Sequence, residues 1–229
     1  MTAPRLLSRQ VLAEQVRDRL LEGILNGRYP PDSRIVETRV AKELGTSQAP
    51  VREALRSLEA LGVVEISPFR GARVRRPTRR ELLDAYVVRS NLEALGARLA
   101  VPNLTPTSLA ELTELVERME AAADIGDGHA VAEFDVSFHG RIVELSDNRT
   151  LQKVWRSLEP FSRTYITLMA PGADPKWTAS LHRPILEALL RHDAEAVVAA
   201  LEWHFVQVRD NMARRWRDPG ENAAQAAAS

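Results

Sequence analysis

Leu44-Gly45-Thr46-Ser47-Gln48-Ala49-Pro50-Val51-Arg52-Glu53-Ala54-Leu55 reads as a short turn that opens a helix. Gly45 and Ser47 punctuate the turn, and the Ser47 hydroxyl is placed to cap a free amide of the first helical turn. Pro50 falls in that first turn, where a missing N–H costs little. Val51, Leu55 and Leu58, with Leu61 beyond them, recur at spacings of four and three, the inner face of a helix. Gln48, Ala49, Arg52 and Arg56 lie off that stripe. On the N-terminal side, Glu37 to Leu44 form a shorter helix with Val40 and Leu44 facing inward. Helix, tight turn and a second helix with small, polar and basic residues at its exposed start make a helix-turn-helix. Such a second helix fits the DNA major groove, where Arg and Gln read base edges.

After Gly62 the chain reads Val63-Val64-Glu65-Ile66-Ser67-Pro68-Phe69-Arg70-Gly71-Ala72-Arg73-Val74, two strand-like runs around a Ser-Pro/Gly turn. A hairpin directly behind the second helix is a wing, and this one carries Arg70 and Arg73 beside Gly71. Asn26-Gly27-Arg28-Tyr29-Pro30-Pro31, Ser47 through Leu55, and Arg70-Gly71-Ala72-Arg73-Val74 together resemble the winged helix of GntR-type transcriptional regulators. That resemblance implies DNA contacts from Thr38, Ser47, Gln48, Ala49, Arg52, Arg56, Arg70, Gly71 and Arg73. Gln48 stands where the family commonly has arginine, so the resemblance does not carry over the family's base preference or phosphate contact at that point.

The chain has 229 residues, enough for two small domains, and its formal net charge is zero. That neutrality hides a division: residues 1–80 hold 16 Lys and Arg against 9 Asp and Glu, the remainder 15 against 22. A basic front and an acidic back imply that only the front meets a polyanion. With no cysteine, disulfides and thiolate metal sites are excluded. No apolar run approaches the ~20 residues needed to span a bilayer, and Met1 to Gln10 lack the apolar core of a signal peptide. A cytoplasmic protein that does not enter membranes is expected.

A first helix from about Ser8 to Asn26 carries Val11, Leu12, Val16, Leu20 and Ile24. The wing ends in Arg75-Arg76-Pro77-Thr78-Arg79-Arg80, read as a linker, and Thr78 with Glu81 makes a capping box. Beyond it the signals are helical: Thr78–Ala100 with an inward stripe of Leu82, Ala85, Val88/Arg89, Leu92, Leu95 and Leu99; then about 107–125, 129–145, 150–169, 179–191 and 193–217. The expected fold is mostly α, with a winged helix over residues 1–77, an all-helical bundle over 78–219 and a disordered tail over 220–229.

All five histidines follow residue 128. Asp135 and His139, four apart, lie on one helix face. His182 lies ten residues before His192 and His204 twelve after it. In an antiparallel helix pair rising ~1.5 Å per residue, those offsets bring the two imidazoles to nearly one height. One carboxylate and three imidazoles facing one another across a bundle suit a divalent ion such as Zn²⁺, Ni²⁺ or Mn²⁺. Pro184, two residues after His182, is awkward inside a helix, so either the helix starts later or it kinks there.

Asp135-Val136-Ser137-Phe138-His139, Ser146-Asp147-Asn148, His182-Arg183-Pro184-Ile185-Leu186-Glu187-Ala188, Asp193 and His204 resemble the effector (FCD) domain of the FadR-like branch of that family. The resemblance implies a metal held by Asp135, His139, His182 and His204, and a small organic acid bound at the metal with Arg89 as a second grip. A ligand-responsive regulator, homodimeric on a palindromic double-stranded operator, is the expected function. Two rivals differ in class: a metal-dependent enzyme using the Asp/His₃ site to activate water, and a DNA-binding protein with no effector. Against the enzyme, no partner for proton transfer is evident in the motif.

Overall fold

The computed structural model describes residues 9–67, 71–168 and 174–215. The chain divides into two compact units, Met1–Arg76 and Pro77–Ser229. The expected tail over 220–229 and the wing residue Arg70 lie outside the described residues.

In the first unit α1 (Arg9–Leu25) and α2 (Glu37–Glu43) both pack on α3 (Gln48–Ala60). Val16, Leu20 and Ile24 from α1, Val40 from α2, and Val51, Leu55 and Leu58 from α3 are all buried. Between α2 and α3 the chain turns at Gly45, whose φ of +63° is a left-handed conformation. The amide of Thr46 reaches back to the carbonyl of Ala41 at 2.9 Å, and the Gly45 amide to Lys42, a Schellman-type ending. Leu44 does not face inward as its spacing from Val40 predicts; it is 41% exposed. The reason is positional: Leu44 is the C-cap of α2, so the turn carries its side chain off the end of the helix. Ser47 stands at the N-cap of α3 in extended conformation, but its hydroxyl makes no capping bond.

Strands β2 (Val64–Ser67) and β3 (Gly71–Val74) pair antiparallel as the wing, with Glu65 opposite Arg73. A third strand, β1 (Arg34–Ile35), pairs with the other edge of β3, so the sheet order is β1-β3-β2. Two residues are too few to show an alternation, which is why β1 carries no sequence signal.

The second unit is helical: α4 (Arg79–Ala100), a 3₁₀ turn at Val101–Asn103, α5 (Pro106–Asp124), α6 (Gly128–Leu145), α7 (Arg149–Leu168), α8 (Pro175–Ser180), α9 (Arg183–Leu190) and α10 (Ala194–Arg215). Thr78 caps α4 with the expected box, its hydroxyl accepting from the Glu81 amide and its own amide donating to the Glu81 carboxylate. α4 packs against α6, α7 and α10, while α5 packs against α6, α8 and α9. The core holds Leu82, Tyr86, Leu112, Val116, Met119, Phe138, Ile142, Ile185, Leu201 and Phe205.

The inner face of α4 is not the leucine stripe. Leu82, Tyr86, Arg89, Glu93, Ala97 and Ala100 face inward, while Val88, Leu95 and Leu99 are 48%, 46% and 37% exposed. Two things turn the helix this way. Arg89 and Glu93 neutralise each other at 2.6 Å, and the small residues Gly96 and Ala97 admit close neighbours. A β-carbon on Gly96 would already lie 3.4 Å from Val143 and 3.5 Å from Leu151.

The region of His182 also differs from the single helix expected over 179–191. α8 ends at Ser180, His182 is the N-cap of α9, and Pro184 sits in the first turn of α9. There its missing N–H has no intrahelical partner to lose. Of the two alternatives, the helix starts later.

Candidate metal centre and nucleic-acid interface

The second unit brings Asp135, His139, His182 and His204 together, all buried, with one potential ligand atom from each lying within 4.8 Å of the others. Asp135 and His139 come from one face of α6, His182 from the α8–α9 junction and His204 from α10. His182 Nε2 is 3.0 Å from Asp135 Oδ1 and 3.2 Å from His139 Nε2, and His139 Nε2 is 3.8 Å from Asp135 Oδ1.

The outer ring nitrogens decide the chemistry inside. His182 Nδ1 faces the carbonyl oxygen of Thr178 at 3.0 Å, an acceptor, so Nδ1 carries the proton. His139 Nδ1 faces a carboxylate oxygen of Glu93 at 2.5 Å, which demands the same tautomer. In the neutral form of each ring Nε2 then bears a lone pair, and the two lone pairs and Asp135 Oδ1 crowd together within 3.8 Å. Only a cation, a proton or a metal ion, can sit stably among them. Ligands bonded to one ion at about 2.1 Å stand roughly 3.0–3.5 Å apart when adjacent; the two separations from His182 Nε2 fall in that range, and the His139–Asp135 pair is wider at 3.8 Å.

At this site Asp135 Oδ2, His204 Nδ1 and Arg89 Nη2 are buried and lack a hydrogen-bond partner among the described residues. Arg89 Nη2 is 3.9 Å from an Asp135 oxygen, too far for a hydrogen bond. The guanidinium also lies 5.5 Å from the Trp155 ring and 5.6 Å from that of Phe205.

Burial would raise the Asp135 carboxyl; with a proton as the cation among these atoms, His182 donates to it, and the positive charge shared by the histidines together with Arg89 outweighs burial and holds the group well below its ordinary range. His204 is pushed well below its ordinary value, first by burial and then by His182 and His139. A histidine kept neutral is a histidine kept ready to ligate.

In the first unit Thr38 on α2 and Ser47, Gln48, Arg52 and Arg56 at the start of α3 are exposed, and Ala49 is half-buried. Arg52 is paired with Glu37, its Nε and Nη2 donating to one carboxylate oxygen at 3.2 and 3.1 Å. On the wing Gly71 has φ +80°, and Arg73 is exposed beside it. Arg34, opposite Arg73 on β1, is also exposed, with its guanidinium 3.5 Å from where a β-carbon on Gly71 would stand.

Comparison with known proteins bears on both halves. Residues 12–74 match the family described as bacterial regulatory proteins, gntR family, and residues 84–207 match the FCD domain. The chain belongs to the GntR family. Among its relatives is a probable D-xylose utilization operon transcriptional repressor of Paenarthrobacter nicotinovorans, 35% identical over 198 residues, 86% of this chain and 87% of the relative. The gluconate operon transcriptional repressor of Bacillus subtilis is 26% identical over 212 residues, 90% of this chain and 85% of that protein. The solved structure of E. coli McbR/YncC superposes with a TM-score of 0.80 at 26% identity, covering 90% of this chain and 99% of that one.

This GntR-family chain is a transcriptional regulator with a helix-turn-helix unit and an FCD effector domain. None of its described helices is long and apolar enough to cross a membrane. All four residues named as ligands meet in one place, and Arg89 stands beside them. Glu93 and Trp155 escaped the sequence reading: Glu93 looks like an ordinary i+4 partner for Arg89 on a helix surface, and nothing local marks it as buried. The recurrence of Leu82, Tyr86, Arg89, Glu93, Ala97 and Ala100 at helical spacing is the signal that could have found it. Arg34 escaped because its neighbour across the sheet is 39 residues later, at Arg73.

Proposed function

We propose that this regulator holds one divalent metal ion through Asp135, His139, His182 and His204, and senses a small carboxylate there. The observation that carries the reading is the convergence of the His139 and His182 lone pairs on Asp135 Oδ1 with both Nδ1 atoms committed outward. One carboxylate and three neutral imidazoles favour a borderline ion such as Zn²⁺, Ni²⁺ or Mn²⁺. The ion would supply a Lewis-acidic position for an anion, and Arg89, with Nη2 unsatisfied beside Asp135, is the fixed cation for the anion's second oxygen. A relative is named for the gluconate operon, and gluconate is a carboxylate.

The winged-helix unit binds double-stranded operator DNA through Thr38, Ser47, Gln48, Ala49, Arg52, Arg56, Gly71 and Arg73, with Arg70, next to Gly71 in sequence, as a further contact. Two copies bind a palindrome. The exposed stripe Val88, Leu95 and Leu99, with half-buried Leu92 between, repeats at spacings of four and three and supports a second copy as the partner of α4. Effector binding changes operator affinity by no more than the effector's differential affinity for the two dimer states, typically ~1–3 kcal/mol.

The test is a gel shift of operator fragments with the full chain, with and without a chelator and with candidate organic acids. Operator affinity that responds to an acid only when metal is present is the expected result. Affinity indifferent to metal and to every acid overturns the reading.

A further inference from the structure

Glu93 lies outside the set of metal ligands, yet it touches three elements around them. It is 1% exposed on α4. Its Oε1 accepts from Arg89 Nε at 2.6 Å and from Trp155 Nε1 at 2.8 Å, while Oε2 meets His139 Nδ1 at 2.5 Å. Trp155 reaches it from α7 across Gly140, the residue after His139: a β-carbon there would stand 3.2 Å from the indole. A carboxylate held 2.6 Å from a guanidinium only accepts, so in the neutral form of the His139 ring the proton is confined to Nδ1 and the Nε2 lone pair is turned inward.

We propose that Glu93 is the positioning residue of the metal centre, setting the His139 tautomer that ligates and tying that ring to Arg89 and to Trp155 on α7. This rests on the metal reading given above. A histidine ligand that donates its outer N–H to a carboxylate is oriented and made more basic by it. A single carboxylate serving the ligand and the arginine also links the two halves of the site.

Glu93→Gln separates this role from simple neutralisation of a buried arginine. Arg89 Nε and Trp155 Nε1 are both donors aimed at one oxygen, so the amide of the variant keeps its oxygen there. Its NH₂ then falls opposite His139 Nδ1. Two donors cannot face each other; the imidazole proton moves to Nε2 and closes the ligand position. A residue that only offset the arginine charge would, on replacement, lower stability without moving that proton.

The experiment uses the full chain. Zn²⁺ affinity, measured by competition with a chelating dye, is expected to fall about 10–100-fold in Glu93→Gln and to recover in part in Glu93→Asp. In parallel, ring ¹⁵N–¹H correlation spectra of the metal-free parent are expected to show His139 protonated at Nδ1. Unchanged Zn²⁺ affinity in a folded Glu93→Gln overturns the proposal, and so does an Nε2-protonated His139 in the parent. If the parent binds no divalent ion, the metal reading fails by itself, and the tautomer spectrum still decides what Glu93 does. The same spectrum decides it if Glu93→Gln fails to fold.

Discussion

His182 Nε2 stands 3.0 Å from Asp135 Oδ1, although the two residues are 47 positions apart. One belongs to α6 and the other caps α9, and each is buried. Two charged or lone-pair atoms held that close without solvent are costly unless a cation lies between them.

Metal content follows from that proximity. Protein purified without chelator is expected to contain about one divalent ion per chain, and His139→Ala/His204→Ala to contain almost none. Because the ligands come from separate helices, the ion clamps the native bundle; at a free metal concentration of 100 Kd it adds about 2.7 kcal/mol. Elemental analysis and thermal melts with and without chelator check both statements. Full metal retention in the double variant would refute the assignment.

Arg89 is expected to matter twice. Arg89→Ala leaves Glu93 with a buried charge short of one partner, a loss of about 3–5 kcal/mol where a buried pair is broken. It also removes the second grip on the effector. Calorimetric titration of organic acids into the metal-loaded variant should show weakened binding with metal content kept; acid binding equal to the parent's would exclude the arginine.

Operator affinity should be strongly salt-dependent. Removing one arginine that neutralises a phosphate lowers the slope of log affinity against log salt by about 0.9. Arg56→Ala and Arg73→Ala are each expected to do so. Arg52 enters the complex already oriented by Glu37, and Arg52→Ala should cost affinity as well. A slope and affinity that do not move would take the altered residue out of the interface.

If α4 forms the dimer interface, Leu95→Asp/Leu99→Asp should sediment as a monomer. Losing the link between two half-site modules should reduce affinity for a palindrome by about 100-fold or more. Binding to an isolated half-site should survive. A variant that sediments as a dimer would place the interface elsewhere.

Acid should destabilise the metal-free protein. The native pKa of His204 lies well below its ordinary value of 6.5. Between those two values the unfolded chain binds the extra proton, so stability rises with pH in that window and is lost as pH falls below about 6.5. One such group contributes at most about 1.4 kcal/mol per pH unit. Glu93, held at about 2 against an ordinary 4.5, adds a second loss in the same direction below that. Urea midpoints at pH 8, 6 and 5 should decline in order; a flat profile between pH 7 and 5.5 would contradict the burial of a neutral His204.

The helix-turn-helix, the wing and the order of helices were legible in sequence because they rest on local physics. Gly45 at a left-handed turn, Thr78 with Glu81 at a helix start and the stripe through Val51, Leu55 and Leu58 each act within a few residues of themselves. The meeting of Asp135 with His139 was legible for a related reason, since the two share a helix face by spacing alone. What faced them was decided by packing. α4 turns Arg89 and Glu93 inward and leaves Leu95 and Leu99 outside because buried charges can neutralise one another at 2.6 Å, while small residues allow close approach. Hydrophobic periodicity ranks the faces of one helix by their own apolarity and carries no term for a partner 46 residues away, which is where His139 stands from Glu93.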